Sequence, residues 1–127
     1  MPKILVIDDH AEIRDLCAEV LAEAGHEVLM AGDGSLGLAL YARHRPEVVI
    51  TDLQLPGVPG LEIIARLGRD PGVHIIAMSG GARENLEAAR RLGAARAFRK
   101  PFDVDHLAGV VGGLAGVTPG RNVAAPR

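Results

Sequence analysis

The sequence predicts an α/β fold, an open parallel sheet with helices on both faces. Three observations carry that expectation. Short apolar runs such as Ile4–Ile7, Val48–Thr51 and Val73–Met78 are continuous, the pattern of strands buried on both faces. Between them lie longer segments whose apolar residues recur at helical spacing. Polar residues suited to one site stand at the ends of several runs: Asp8-Asp9, Asp52, Ser79 and Lys100. Alternating strands and helices argue five β–α units around such a sheet.

In chain order, Ile4-Leu5-Val6-Ile7 reads as a buried strand ending at Asp8-Asp9. A helix over Ala11–Ala24 follows, with Ile13, Leu16, Cys17, Val20, Leu21 and Ala24 as its apolar stripe and Gly25 as its stop. Val28–Met30 is a second short strand. Asp33 caps a helix running to Arg43, with Leu36, Ala39 and Leu40 expected to face inward. The central strand Val48–Thr51 stops at Asp52, and Leu53-Gln54-Leu55-Pro56-Gly57 breaks it. A helix from Pro59 to Gly68 follows, with proline at its first position, where a missing N–H goes unneeded. The remaining units are the strand Val73–Met78 before Ser79-Gly80-Gly81, a helix over Ala82–Leu92, a weaker strand Ala95–Arg99 and a helix Val104–Ala115. Val104, Leu107, Ala108, Val111 and Ala115 share one face of the last helix, which also contains Gly109, Gly112 and Gly113. Each interior glycine costs about 1 kcal/mol against alanine. Residues 1–115 are therefore expected to form one domain, and 116–127, rich in Gly, Pro and Ala, a flexible tail with no effector domain.

Composition narrows the function. The chain has 127 residues, 48% of them hydrophobic and 24% charged, with a net charge of −2. These are the proportions of an ordinary globular protein, without the basic stripe of a nucleic-acid binder. Tyr41, Phe98 and Phe102 are its only aromatics, too few for a base-stacking platform. The single cysteine, Cys17, excludes an internal disulfide, sits in a core stripe and fits a reducing compartment, so a cytoplasmic location is expected. No stretch has the length of a membrane span, and Asp8-Asp9 cut the first apolar run too short for a signal peptide.

In an open parallel sheet, ligands bind outside the carboxyl ends of the strands. That rule gathers Asp8, Asp9, Asp52, Ser79 and Lys100 at one rim. Carboxylates so close repel unless a cation joins them, and hard oxygen donors suit Mg²⁺. A lysine and a hydroxyl at the same rim suit phosphoryl oxygens.

Ile7-Asp8-Asp9, Thr51-Asp52 with Leu55-Pro56-Gly57, Ser79 and Lys100-Pro101-Phe102 together resemble the receiver domain of two-component response regulators, over residues 3–115. The resemblance implies the flavodoxin-like sheet order 2-1-3-4-5 in a three-layer (βα)5 sandwich. It implies that Asp52 is the phosphoacceptor, taking a phosphoryl group from the phosphohistidine of a sensor kinase or phosphotransfer protein. Asp9, Asp52 and the backbone carbonyl of Gln54 would hold Mg²⁺, and Asp8 would act on it through water. Lys100 would contact the phosphoryl oxygens, Ser79 would close over them, and the Lys100–Pro101 peptide would be cis. The domain would be a phosphoacceptor with slow self-hydrolysis and no other enzymatic activity. The kinase would dock near Arg14, Asp15, Ala18 and Asp103. One departure concerns the family's Tyr or Phe three residues before the lysine: here that position is Ala97, and Phe98 beside it should point to the opposite face as core.

Rival readings are weaker. Gly32-Asp33-Gly34-Ser35-Leu36-Gly37 is a literal G-x-G-x-x-G. It follows the second strand, however, and the first strand ends in acids that would repel a pyrophosphate. A turn and an Asp33 cap explain it. His10, His26, His44, His74 and His106 have no ligand spacing, although His10 adjoins the acidic pair. Arg83, Glu84, Glu87, Arg90 and Arg91 read as a solvated helix face or as part of an output surface. The expected function is a stand-alone receiver that signals by binding another protein or by passing the phosphoryl group onward. The alternatives are a phosphorylation-independent interaction module and a phosphate sink.

Overall fold

The computed structural model describes residues 2–115. The expected tail, 116–127, lies outside them. Ten elements alternate: β1 (Lys3–Ile7), α1 (Ala11–Glu23), β2 (Glu27–Ala31), α2 (Gly34–His44), β3 (Val48–Asp52), α3 (Gly60–Leu67), β4 (His74–Ser79), α4 (Arg83–Leu92), β5 (Arg96–Arg99) and α5 (Val104–Leu114). The strands form one parallel sheet in the order β2-β1-β3-β4-β5. This is the flavodoxin-like order that the resemblance implies.

Strand periodicity divides the core into two layers. Leu5, Ile7, Val49, Ile75 and Ala77 point to one face, against Tyr41 of α2, Ile63, Ile64 and Leu67 of α3 and Ala89 of α4. Ile4, Val6, Val48, Ile50, Ile76 and Met78 point to the other, against Cys17 and Leu21 of α1 and Leu107, Val111 and Leu114 of α5. Burying each such Ile or Leu contributes about 1.5–3 kcal/mol. The two central strands, β3 and β4, are buried throughout, which is why their sequences run apolar without alternation.

Several helix faces differ from the expectation. In α2 the buried residues are Gly34, Gly37 and Tyr41, whereas Leu36 is 45% exposed and Ala39 faces solvent. The cause is close approach. A Cβ on Gly37 would lie 2.5 Å from Cδ1 of Ile7, and one on Gly34 would lie 2.2 Å from the carbonyl oxygen of Val58. Helix α2 rests on Ile7 through the bare backbone of Gly37, with Leu38 and Leu40 partly buried against the core as expected of Leu40, and Leu36 turned out. In α1, Leu16 is 46% exposed and Ala24 is exposed at the C-cap, so the stripe narrows to Cys17 and Leu21 with Ile13 and Val20 half-buried. Pro59 is the residue before α3, with an extended ψ of 149°, and the helix begins at Gly60. In α5, Leu114 is buried and Ala115 stands just past the helix end.

Two caps are as expected. The Asp33 carboxylate accepts the Leu36 N–H at 2.8 Å, and Gly25 takes the positive φ, +96°, that follows α1. A third junction was not legible. The Tyr41 hydroxyl donates to Asp70 in the loop before β4, and Arg45, at the left-handed end of α2, pairs with the same carboxylate at 3.1 Å. Burial and the Asp70 contact push the Tyr41 phenol up. The Tyr41 hydrogen bond, with help from the Gly72 N–H, holds Asp70 below the usual carboxylate range.

A depressed folded pKa adds stability that is present above the unfolded value, about 3.9 for Asp, and is lost as pH falls through the folded value. Tyr41→Phe should therefore cost about 1–2 kcal/mol at neutral pH and shift acid unfolding to higher pH. Urea melts at pH 7 and an acid titration followed by circular dichroism check both. In α5, added Cβ atoms on Gly109 and Gly112 meet nothing within 4 Å among the described residues. Gly109→Ala and Gly112→Ala should each stabilise the protein by about 0.5–1 kcal/mol, read as a rise in Tm.

Candidate functional site

The parallel register brings the expected residues to one rim. Ile7 pairs with Thr51, so Asp8 and Asp52, one residue on in each strand, stand side by side. Ser79 closes β4 and pairs with Arg99 of β5. The next residue, Lys100, donates its backbone N–H to the Ser79 carbonyl at 2.9 Å. The Lys100–Pro101 peptide is cis. From that position the Lys100 side chain reaches back across the rim, and Nζ lies 2.8 Å from Oδ2 of Asp8 and 2.9 Å from Oδ2 of Asp52.

Both carboxylates are buried, with Asp8 at 0% and Asp52 at 3% exposure. Burial works against the Lys100 charge, but hydrogen bonds and charge from Asp8 and Asp52 outweigh it and raise the ammonium pKa. Lys100 is therefore a fixed cation at every physiological pH.

The other carboxylate oxygens are held too. Oδ1 of Asp8 accepts the His10 N–H at 2.8 Å and lies 3.2 Å from His10 Nδ1. Oδ1 of Asp52 accepts the Gln54 N–H at 3.1 Å. Asp9 is more exposed, with Oδ1 at 3.3 Å from His10 Nδ1. Ser79 is buried, and its hydroxyl oxygen accepts the Gly81 N–H at 2.9 Å. The Arg14 guanidinium donates to the Asp8 backbone carbonyl at 2.8 Å, which ties α1 to the end of β1.

The donor set fits a divalent cation. Ligand atoms of Asp8, Asp9, His10 and Asp52 all lie within 4.8 Å of one another. Lys100 pairs with two of the three carboxylates. Three carboxylates against one ammonium leave two negative charges at the rim, the charge of one hard, oxygen-preferring ion. All five expected side chains, Asp8, Asp9, Asp52, Ser79 and Lys100, are thus at the same strand ends.

Gly60 escaped sequence reasoning, and Arg14 and His10, which were singled out, support the site in ways the sequence does not specify. Gly60 has the strictest steric requirement: a Cβ there would lie 2.2 Å from the Asp52 carbonyl oxygen and 2.5 Å from Cα of Leu53. Its signal was a glycine just after Pro59 at a helix start. Arg14 was expected as a partner contact and is bound to the site's backbone. His10 holds the N-cap position of α1 without a side-chain cap bond and turns its ring toward the acids.

Beside Lys100 lies an apolar groove of about 310 Å³ between α1 and the loop after β5, lined by Ile13, Leu16, Pro101, Phe102 and Val104. Cys17 lies at its base, where burial, with the nearby Asp8 charge, pushes the thiol pKa up to about 11. Such a thiol is inert at neutral pH. Ala97 packs in the α3/α4 layer. Phe98 packs in the opposite layer, edge-on to Phe102 and His106 at ring-centroid distances of 5.9 and 5.4 Å. Among the described residues no helix is long and apolar enough to cross a membrane.

The profile of the response regulator receiver domain matches residues 4–111. Sporulation initiation phosphotransferase F of Bacillus subtilis is 35% identical over 107 residues, covering 83% of this chain and 86% of that protein. The DNA-binding dual master transcriptional regulator RpaA of Synechocystis is 36% identical over 112 residues, and there the match spans 46% of the longer protein. A receiver domain protein from Clostridium thermocellum superposes with a TM-score of 0.82 at 31% identity, covering 88% of this chain and 92% of that one.

Gly60→Ala should force apart the start of α3 and the Asp52 carbonyl. A loss of at least about 2 kcal/mol is expected, measured by urea unfolding. Gly109→Ala, where there is open space, is the matched control.

Proposed function

The chain belongs to the response regulator receiver family, and on that premise we propose that Asp52 accepts a phosphoryl group from the phosphohistidine of a partner protein, with Mg²⁺ at the acidic rim. The observation that carries this is Lys100, a half-buried cation held on Asp8 and Asp52 beside Asp9. Asp9, Asp52 and the backbone carbonyl of Gln54 would hold the ion directly, and Asp8 through water. Bound Mg²⁺ would offset the negative charge that builds up when phosphoryl oxygens meet the carboxylates.

The chain's own residues then do the positioning, which is most of what phosphoryl transfer asks of a protein. A carboxylate oxygen of Asp52 attacks phosphorus in line with the leaving nitrogen. The new O–P bond forms as the N–P bond breaks, and the electron pair returns to the donor imidazole. Lys100 stays charged throughout and exchanges a carboxylate oxygen for a phosphoryl oxygen. Ser79 accepts from Gly81 and can donate its own hydroxyl hydrogen to the phosphoryl group. Water attacking the same phosphorus later would return Asp52 to its starting state, the slow self-hydrolysis expected of the site.

The donor protein would approach over the groove beside Lys100, where Asp15 and Asp103 are exposed and Ala18 is half-buried. The Asp103 carboxylate also caps α5, accepting the Asp105 N–H at 2.8 Å, so its replacement would disturb that helix as well as any contact. The relative that this chain covers at 86% is named a phosphotransferase, which favours onward relay to a second protein over a DNA-binding output. Residues 1–115 would form the working domain.

Intact mass after incubation with acetyl phosphate, with and without Mg²⁺, tests the acceptor. The expected result is a Mg²⁺-dependent gain of one phosphoryl group, absent in Asp52→Asn. No gain from acetyl phosphate or from phosphorylated kinase would leave a phosphorylation-independent binding module. Passage of the label to a histidine phosphotransfer protein marks a relay; its loss only to water marks a sink.

A further inference from the structure

We propose that His10 is a ligand of the rim's metal ion, making the site a mixed oxygen–nitrogen site that binds Co²⁺ or Zn²⁺ more tightly than Mg²⁺. The inference rests on the metal reading of Asp9 and Asp52 above and adds to it the identity of the preferred ion. His10 Nδ1 lies 3.2 Å from Oδ1 of Asp8 and 3.3 Å from Oδ1 of Asp9. Two donors on neighbouring positions of one ion, with bonds of about 2.0–2.2 Å, stand about 3.0–3.4 Å apart. The Asp9 separation therefore fits a shared ion without movement of the ring, while Asp8, acting on the ion through water, keeps His10 at the rim.

The placement of His10 points the same way. It occupies the N-cap of α1, a position where Ser, Thr, Asp or Asn would satisfy an orphan N–H. Its ring makes no cap bond and leans over the acids instead. Its backbone N–H is fixed by Asp8 at 2.8 Å, which holds the residue close to the rim. The side chain is 65% exposed, so an ion bound there keeps open positions for water or a phosphoryl oxygen.

The chemistry of the donors sets the selectivity. Mg²⁺ takes oxygen ligands and gains little from an imidazole. Co²⁺ and Zn²⁺ bind imidazole well, and their affinity for a mixed site exceeds that of harder divalent ions. The all-oxygen portion of the rim accepts either class of ion. His10 adds free energy for the borderline class alone.

The test compares Co²⁺ and Mg²⁺ binding to the full chain, wild type and His10→Asn, by calorimetry and by the visible absorption of the Co²⁺ complex. Asn is a good cap, so this variant keeps α1 intact. His10→Gln serves as a second variant. The expected result is a loss of about 10–100-fold in Co²⁺ affinity, with an altered Co²⁺ spectrum and a change in Mg²⁺ affinity of less than about 3-fold. Unchanged Co²⁺ affinity and spectrum in both variants would overturn the role of His10 while leaving the Mg²⁺ site standing. Failure of wild type to bind either ion, with Asp9→Asn and Asp52→Asn no different, would remove the metal reading itself.

Discussion

The ion bridge from Lys100 to Asp8 and Asp52 is the constraint on which the rest of the molecule hangs. Two carboxylates side by side at 0% and 3% exposure repel each other and have lost most of their water. Leaving either unpaired would cost several kcal/mol. The cation that holds them comes from the far end of the chain, 92 residues after Asp8. In the order β2-β1-β3-β4-β5 it arrives from the end of β5, beyond β4, where the Lys100 N–H is fixed on the Ser79 carbonyl. Fold stability and site assembly are thus one requirement.

The glycines show how the helices leave room for that arrangement. Gly60 lets α3 start directly beneath the Asp52 carbonyl. Gly34 lets α2 start against the Val58 carbonyl, and Gly37 lets it rest on Ile7, the residue before Asp8. The literal G-x-G-x-x-G of residues 32–37 therefore has a packing role. Its third glycine brings helix and sheet together and its second brings the helix start against the Val58 loop, while Asp33 before them caps α2. The phosphate chemistry of the molecule belongs to the opposite electrostatic design. It has a carboxylate rim and a lysine in place of a cradle of backbone N–H groups.

What was legible in the sequence follows from which signals are local. Strands β1, β3 and β4 announce themselves as continuous apolar runs because both faces are covered. The acids, serine and lysine at their ends were legible as one site because a parallel sheet puts every strand end on the same rim. The faces of α2 and α1 were not. Periodicity scores large apolar side chains, and α2 docks through Gly34 and Gly37, which score as nothing, while Leu36 is turned out. Leu16 keeps helical spacing with Cys17 and Leu21 yet lies at the rim of a groove, because no element among the described residues covers that part of α1. Gly60 and the role of Arg14 were missed for a different reason. Their partners are backbone carbonyls of Asp52 and Asp8, and no side-chain pattern records which carbonyl a neighbour must approach.

Strand β5 divides the consequences of any change at the rim between the two layers. Its inward position on the α3/α4 side is Ala97, a methyl group with no rotamer to change. On the other side, Phe98 packs edge-on with Phe102 and His106, and Phe102 is two residues from Lys100. Those rings are half-buried or exposed, and Phe102 forms part of the groove against Ile13 and Leu16. The bulky, movable side chains nearest the site therefore belong to the α1/α5 layer, and the side facing α4 has the smaller, stiffer contact. On the proposed function, a shift of Lys100 from carboxylate to phosphoryl oxygen would be felt first by the residues beside it in the chain. Its backbone neighbours are Arg99 and Pro101, and Lys100, Pro101 and Phe102 all line the groove, so the groove is the surface nearest the site.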